Sequence, residues 1–487
     1  MSKGETITIS KQEYQQLLEY KSEVELLKHQ FAQLQRMLFG RKSERFVLPD
    51  PNQGVLFDLP EEKAVEEKTE EITYTRSVPK KEKKHPLRTP LPAHLPRKEE
   101  IIEPDNVPEN ARKIGESITE ILEYTPANIY VRKIIRPKYI VDSTDERTQI
   151  AIAPMPTLPI PKGNAGASMI AYILVSKFVD HLPYSRIAKI LKRQNLHTAD
   201  STLGGWANKA ISDILFLVYE QIQNEIIKTD YLMADETPIP VLTEDKPGAT
   251  HQGYFWVYYD PVRKMVLFDY QKSRGREGPR HVLKGFKGFI QSDGYAAYNK
   301  LGSSIEFLAC MAHLRRKFKI ALDNDPKRAE KVLALIQKLY EVERQARETE
   351  LSYDQIKLLR QEKSVTVLEE MEKYLIEENH YVLPKSAIGK AFKYALQLWP
   401  RIKRYVDDGR FQIDNNLIEN SIRPVALGRR NYLFAGSHNG AKNAAIMYSL
   451  MATCKLNDID PYQWLKKALE TIPGYPTDQI PDLIPKK

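Results

Sequence analysis

Between Ser10 and Leu38 apolar residues return every seven positions. Leu17, Val24, Phe31 and Leu38 share one position of the repeat, and Tyr20, Leu27 and Leu34 another. Charged residues and glutamines fill the rest, as in a helix with a narrow apolar seam. Two readings are open: a coiled coil of about three to four heptads that pairs two chains, or an amphipathic helix packed on its own domain. Gly40 ends the pattern. From about Pro49 to Pro96 no periodicity survives. Six glutamates between positions 61 and 71 precede Lys80, Lys81, Lys83 and Lys84, and prolines follow at 86, 90, 92 and 96. Such a stretch cannot bury enough apolar surface to order itself and reads as a tether.

Alternation over Ile118–Tyr124 and Ile129–Tyr139 predicts a small sheet within Ile101–Pro154. Helical spacing takes over from Ser168 to about Lys228. Met169–Phe178 is apolar on one side, a second helix runs from Pro183 to about Arg193, Asn195–Asp200 is a turn, and Ser201 opens a third. Helix, turn, helix is the layout of a DNA-reading module, although an ordinary helical bundle gives the same pattern. Five short apolar runs then read as strands: Tyr231–Ala234, Gly253–Tyr259, Met265–Tyr270, Phe289–Ser292 and Ile305–Ala309. The second and third meet at the turn Asp260–Arg263, so they form a hairpin. Short helices are expected at Pro279–Leu283 and Tyr295–Leu301. His313 to about Tyr405 is charged and helical, with long helices at Lys331–Leu351 and Ser352–Asn379; it is too long for a loop. Beyond it come a helix after Asn415, a turn at Gly436–Gly440, helices at Ala441–Lys455 and Pro461–Leu469, and a proline-rich end that reads as a loose tail.

At 487 residues the chain is too long for a single core. The two cysteines, Cys310 and Cys454, exclude a disulfide framework and a four-cysteine metal site. A net charge of +9 suits a polyanionic partner. No apolar run is long enough to cross a bilayer and the N-terminus lacks a signal-peptide core, so a cytoplasmic protein with no membrane partner is expected.

Three acidic residues carry the candidate chemistry. Asp235 stands in Leu-Met-Ala-Asp-Glu-Thr-Pro and Asp293 in Gln-Ser-Asp-Gly-Tyr, each closing an apolar run that reads as a buried strand; Glu419 stands in Asp-Asn-Asn-Leu-Ile-Glu-Asn on a helix. Carboxylates that converge from strand ends hold hard divalent cations, and two such ions serve phosphodiester chemistry. Neighbouring strand residues face opposite ways, so only one of Asp235 and Glu236 can face the site. Asp414 competes with Glu419 but reads as a helix cap. Lys189, Lys192 and Arg193 lie on the helix-turn-helix pattern; Arg315, Arg316 and Lys317 start the helix after the last strand; Arg423, Arg429 and Arg430 follow Glu419. All nine are candidates for contact with a DNA backbone. Cys310 reads as a buried strand-end residue and His313 as a neighbour of the acidic site. Tyr432 and Phe434 are read either as stacking on a displaced base or as core.

The words around these residues resemble one family. Leu38–Glu44, Lys177–Pro183, Ala234–Pro238, Ser292–Tyr295, Cys310–Phe318, and Asp414-Asn415-Asn416 through Glu419 to Arg423–Arg429 stand in the order found in insertion-sequence-66 transposases, large DDE catalytic subunit. That resemblance picks Asp235, Asp293 and Glu419 as catalytic and metal-binding residues. It implies Mg²⁺ or Mn²⁺ as cofactor, two ions together. It also implies binding to terminal inverted repeats and target DNA, self-association through the coiled coil, and small accessory proteins of the same element. Three antiparallel strands followed by strand–helix units is the order of a ribonuclease-H-like core. The fold expected is therefore a mixed, multidomain α+β chain: coiled coil (1–46), linker (47–100), zinc-ribbon-like β module (101–155), helical DNA-binding region (156–228), catalytic domain (229–435, with a helical insertion at about 313–405) and a C-terminal helical region (436–487). The family's β module carries cysteines. Here Ile140 and Val141 follow Lys138-Tyr139 where ligands would fall, so no zinc is expected. Rival functions are a ribonuclease-H-like nuclease or resolvase and a non-catalytic DNA-binding protein derived from a transposase.

Overall fold

The computed structural model describes residues 157–161, 163–243, 248–298 and 301–486, together with 129–132, the backbone of 138–144 and 147–152, and the isolated helical residues Tyr20 and Val24. The heptad segment, the tether and most of the expected zinc-free β module lie outside these residues. Contacts divide the chain into one unit of Met1–Lys42 with Pro137–Lys487 and another of Ser43–Arg136. Of the latter only 129–132 are described, as chain without regular structure. The alternation over Ile129–Tyr139 therefore gives no strand at its start. The strand begins at Lys138, where β1 (Lys138–Thr144) pairs antiparallel with β2 (Arg147–Ile152) and the register slips between Ile140 and Asp142.

Among the described residues, four helices lie between β2 and the main sheet. In α1 (Ala167–Phe178), Ile170, Ala171, Ile173, Leu174 and Phe178 are buried. The helix packs on the C-terminal part of the chain, so it is apolar around most of its circumference. α2 (Tyr184–Arg193) is strongly amphipathic: Ile187 and Leu191 face inward, while Lys189, Lys192 and Arg193 are exposed. It stops at Asn195, whose φ of 60° is left-handed, a conformation asparagine tolerates. α3 (Asp200–Ala210) follows and runs through a wider π turn, Ile211–Leu215, into α4 (Phe216–Ile226). The Tyr219 hydroxyl on α4 donates to the Phe268 carbonyl at 2.9 Å, so the helical layer shares a core with the sheet.

The sheet has five strands in the order β5-β4-β3-β6-β7. β3 (Tyr231–Leu242), β4 (Thr250–Asp260) and β5 (Met265–Gln271) form an antiparallel meander. After α5 (Glu277–Val282), β6 (Gly288–Ser292) and β7 (Ile305–Ala309) add in parallel to β3. Between them, the described part of Tyr295–Leu301 holds the 3₁₀ turn Ala296–Tyr298, where a helix was expected. β3 is much longer than its apolar run. Past Asp235, Thr237, Ile239 and Val241 stay buried against β4, while Pro238 and Pro240 present their edge away from it. Proline lacks an N–H and fits only where the ladder asks for none. On that edge the Pro240 carbonyl accepts the Ala435 N–H (2.8 Å), and the Leu242 N–H donates to the Ala435 carbonyl (2.9 Å).

Four helices separate β7 from the segment that bears Glu419: α6 (Met311–Ala321), α7 (Pro326–Glu348), α8 (Tyr353–Asn379) and α9 (Ala387–Ile402). Asp325 caps α7, and a reciprocal capping box of Ser352 and Gln355 starts α8. Arg360 ties this layer together, paired with Glu343 (2.7 and 2.8 Å) and donating to the carbonyls of Tyr405 and Asp408. α10 (Asn416–Tyr432), α11 (His438–Leu456) and α12 (Pro461–Thr471) complete the chain. α11 covers the outer edge of the sheet. Ser449 and Thr453 accept the N–H groups of Phe268 (2.8 Å) and Val266 (3.2 Å) on β5, so that edge is not left open for pairing. The proline-rich end is not a loose tail. It coils in 3₁₀ turns, buries Ile480 and Ile484, and accepts the Trp464 indole N–H at the Leu483 carbonyl (3.1 Å).

Candidate active site

β3 and β6 pair in parallel with Met233 opposite Gln291. Asp235 and Asp293 each stand two residues further on, so they sit at the same level on adjacent chain paths. Asp235 lies within β3, and Asp293 lies in the loop just after β6. That loop is built tightly. Gly294 has φ +91°, its N–H donates to Ser292 Oγ (3.3 Å), and the Tyr295 N–H donates to Asp293 Oδ1 (2.8 Å). The helical insertion presses on it from outside. Tyr394 on α9 donates to the Asp293 carbonyl (2.9 Å), and the Leu398 side chain occupies the space where a Cβ at position 294 would point.

Glu419 arrives on α10, which the segment 408–415 pins to the sheet. Arg410 grips Asp230, the residue before β3, through both terminal guanidinium nitrogens (2.9 and 3.0 Å). The Tyr231 hydroxyl donates to Gln291 Oε1 and accepts the Gln412 N–H (2.9 Å), while Gln291 Nε2 donates to the Gln412 carbonyl (2.9 Å). Both paired strands and the approach to α10 therefore share one hydrogen-bond ring. The Met311 N–H then reaches the Ile413 carbonyl (3.0 Å) and the Asn415 N–H reaches Cys310 Sγ (3.2 Å), which makes Cys310 a buried strand-end residue, as expected. Two details differ from expectation. Glu419 lies in the first turn of α10 rather than deeper, and Asp414 is not the cap: it precedes the N-cap Asn415 and holds Asn416 N–H (3.0 Å) and the Tyr340 hydroxyl (2.8 Å).

The three acids lie near enough to feel one another's charge. Burial pushes the Asp235 carboxyl up to about 8; the neighbouring Glu236 charge adds to this, the Glu236 N–H opposes it, and the charges of Asp293 and Glu419 raise it further. Glu419 is likewise raised, by burial first and then by Asp414, with Arg316 and Arg423 opposing and Asp293 adding. Glu236 is raised chiefly by burial, yet it is engaged elsewhere: Arg274 Nε donates to it (2.9 Å), as does the buried Tyr298 hydroxyl (3.2 Å). The donor set is all carboxylate oxygen, the chemistry that hard divalent cations take, and a cation would relieve the repulsion that Asp235 feels. Among the described residues no three His, Cys, Asp or Glu side chains are grouped tightly enough to hold one ion. Asp235 and Asp293 each turn Oδ1 to a backbone N–H instead. The donor chemistry fits such an ion and Asp235 and Asp293 share a level, with the carboxylates spread.

Cations ring this site. Arg316 and Lys317 are exposed on α6, and His313 on the same helix feels the charges of Asp293, Arg316 and Lys317, burial lowering its pKa. Arg423 and Arg430 are exposed on α10, whereas Arg429 is turned in to the Pro238 carbonyl. Arg315 is half-buried. Lys189 and Lys192 line a groove of about 360 Å³ with His197 and Thr198 at the turn between α2 and α3; Arg193 is exposed beside them. Tyr432 is packed, with Lys177 over its ring at 4.2 Å and its hydroxyl against that of Tyr448, so only Phe434 remains open to a partner. Local patterning gave no sign of Arg274, which stacks on Tyr295 (4.0 Å) beside Asp293. Asn415, which shares the Glu419 motif, has its side-chain amide buried with no protein partner.

The architecture is a mixed α+β one with an acidic, oxygen-donor site framed by arginines and lysines. Comparison with known proteins supplies its family. Residues 162–443 match the family described as Transposase IS66 family, 449–485 match the IS66 C-terminal element, and 26–99 match a segment described as Transposase C of IS166 homeodomain. The chain belongs to the IS66 transposase family. Similar proteins include y4hP, y4qI and y4jD of Sinorhizobium fredii, themselves uncharacterized. They are 31%, 32% and 30% identical over 94%, 93% and 94% of this chain and 88%, 87% and 94% of their own lengths. Among the described residues no helix is long and apolar enough to cross a membrane.

Proposed function

We propose that this chain is a DDE transposase with a ribonuclease-H-like core, which binds the inverted repeats of its element, cleaves a strand there and joins the freed 3′-hydroxyl to target DNA. The observation that carries the reading is the matched level of Asp235 and Asp293 on paired parallel strands, with Glu419 within reach of their charge, in a chain of this family. The strand order, an antiparallel meander extended by two parallel strands, supports the core assignment.

Asp235, Asp293 and Glu419 would hold Mg²⁺ or Mn²⁺. When bound, two such ions activate the attacking oxygen and stabilise the leaving oxygen of a phosphodiester. The chain's own residues position the rest. Arg316 and Arg423 flank Glu419 and offer charge to the DNA backbone; the α2–α3 groove, with Lys189, Lys192 and Arg193, offers a second contact. Arg274, held by Glu236, keeps the Asp293 loop against β3.

Replacement of Asp293 by Asn should abolish cleavage in Mg²⁺ and leave binding to inverted-repeat DNA within about twofold, because phosphate contacts set the affinity. Gel shifts paired with a strand-cleavage assay test both halves. Wild-type cutting by the variant sinks the catalytic assignment. Joining of a pre-cut 3′-hydroxyl end to a target plasmid separates transposition from simple nuclease action.

A further inference from the structure

The exposed side of α10 carries Asn416, Asn420, Arg423, Leu427 and Arg430, residues three or four apart and therefore in one stripe. The stripe starts beside Glu419 and ends on two bare apolar side chains, Leu433 (64% exposed) and Phe434 (39%), with Leu427 (49%) just before them. The tip is not loose. Leu433 takes φ +63° and ψ −47°, and the Phe434 N–H closes back on the Tyr432 carbonyl (2.7 Å), a strained γ-turn that a leucine adopts rarely. On one side the Leu433 N–H is held by the Arg429 carbonyl (2.9 Å), and on the other Ala435 is laced to Pro240 and Leu242 of β3. A tied, strained loop that pushes two large apolar side chains into solvent at the end of a stripe carrying Arg423 and Arg430 is built for a partner that is anionic outside and apolar inside.

We infer that Leu433 and Phe434 form a wedge that enters duplex DNA at the element end and stacks on a base it displaces. This rests on the transposase reading above. Two rulers give the wedge's distance from the acids. Pro240, where the tip is tied, lies five residues past Asp235 on β3, about 17 Å. Leu433 lies fourteen residues past Glu419 on α10, about 21 Å. At about 3.4 Å per base step, either length is about five to six base pairs. Arg423 and Arg430 run alongside that path, where they would follow the backbone. Phe and Leu are the side chains that proteins insert between base steps, and an aromatic face accepts any base.

The test uses the full chain and duplexes carrying the terminal inverted repeats that flank its gene, with 2-aminopurine placed at successive positions from the cleavage point. Wild type should raise fluorescence at one position about five or six steps in, and Phe434→Ala and Leu433→Gly should lose that signal. Both variants should cut paired ends about tenfold slower and recover on ends mismatched at that position, since stacking no longer has to open the pair. Leu433→Gly is the control for structure: glycine is at ease at positive φ, so melting temperature should hold or rise while cutting falls. Equal cutting of paired ends by wild type and variants overturns the wedge. So does a lower melting temperature or lost self-association in Phe434→Ala, either of which means that the chain itself or a second copy covers the patch. A wild type that cuts neither substrate overturns the transposase reading and the wedge with it; one that cuts both with no fluorescent position overturns the wedge alone.

Discussion

Asp235 bears the conflict between stability and chemistry most plainly. Its carboxyl titrates at 3.8 in an open chain and is pushed up to about 8 in the folded one. Between those values the folded state keeps a proton that the unfolded state has lost. The group's favourable contribution is therefore complete below about pH 4 and is lost as pH rises through 8. At about 1.4 kcal/mol per pH unit the loss is at most about 6 kcal/mol, and rearrangement around the charge cuts it to a few. Asp235→Asn should therefore melt higher than wild type at pH 8 in chelator, with the two melting curves converging towards pH 4, while its cleavage activity is gone. Thermal unfolding across that range checks it. A variant that melts lower at pH 8 would mean that the carboxylate is satisfied by the protein alone.

Among elements, β3 and α10 set the site, and the ring of Tyr231, Gln291 and Gln412 sets them against each other. Tyr231→Phe strips the ring of its hydroxyl and leaves Gln291 Oε1 and the Gln412 N–H without that partner. The expected cost is about 1–3 kcal/mol in denaturant unfolding. Cleavage should slow while DNA binding is kept, because the displaced part is the approach to Glu419. Sequence patterning could read the strands, since each is an apolar run bounded by turn residues, and it could read the level of the two aspartates from their place after those runs. It read β3 as ending at Ala234, where the apolar run stops, whereas the strand continues through Pro238 and Pro240. Their harmlessness depends on an edge that only the fold reveals. The tail looked loose for the same reason, its prolines hiding two buried isoleucines. The ring was out of reach, since Tyr231 and Gln412 are 181 residues apart and nothing local joins them. Glu419 was picked by its motif. Its first-turn position follows from where α10 starts, at Asn416, whose N–H bonds to Asp414.

For the whole molecule, charge is the collective property. The net charge of +9 is expressed near the acids as Arg316, Lys317, Arg423 and Arg430 and at the α2–α3 turn as Lys189, Lys192 and Arg193. If these hold phosphates, affinity for inverted-repeat DNA falls steeply with salt. Replacing Arg316 or Arg423 by Gln should lower the slope of log affinity against log salt by about 1 each, whatever the DNA sequence. Titrations at four or more salt concentrations give the slope, and an unchanged slope removes that arginine from the interface. Domain-like pieces in the sequence become a shared core here, with α1 on the C-terminal helices and α11 along β5.

The insertion also has a temporal meaning. Once β3 and β6 pair, the two aspartates are level, but the third acid lies beyond all four helices of α6–α9, and contacts so distant along the chain form late. During synthesis the α2–α3 turn emerges from the ribosome long before residue 419. On the proposed reading, the surface offered to DNA at that turn is therefore translated before the set of acids is complete.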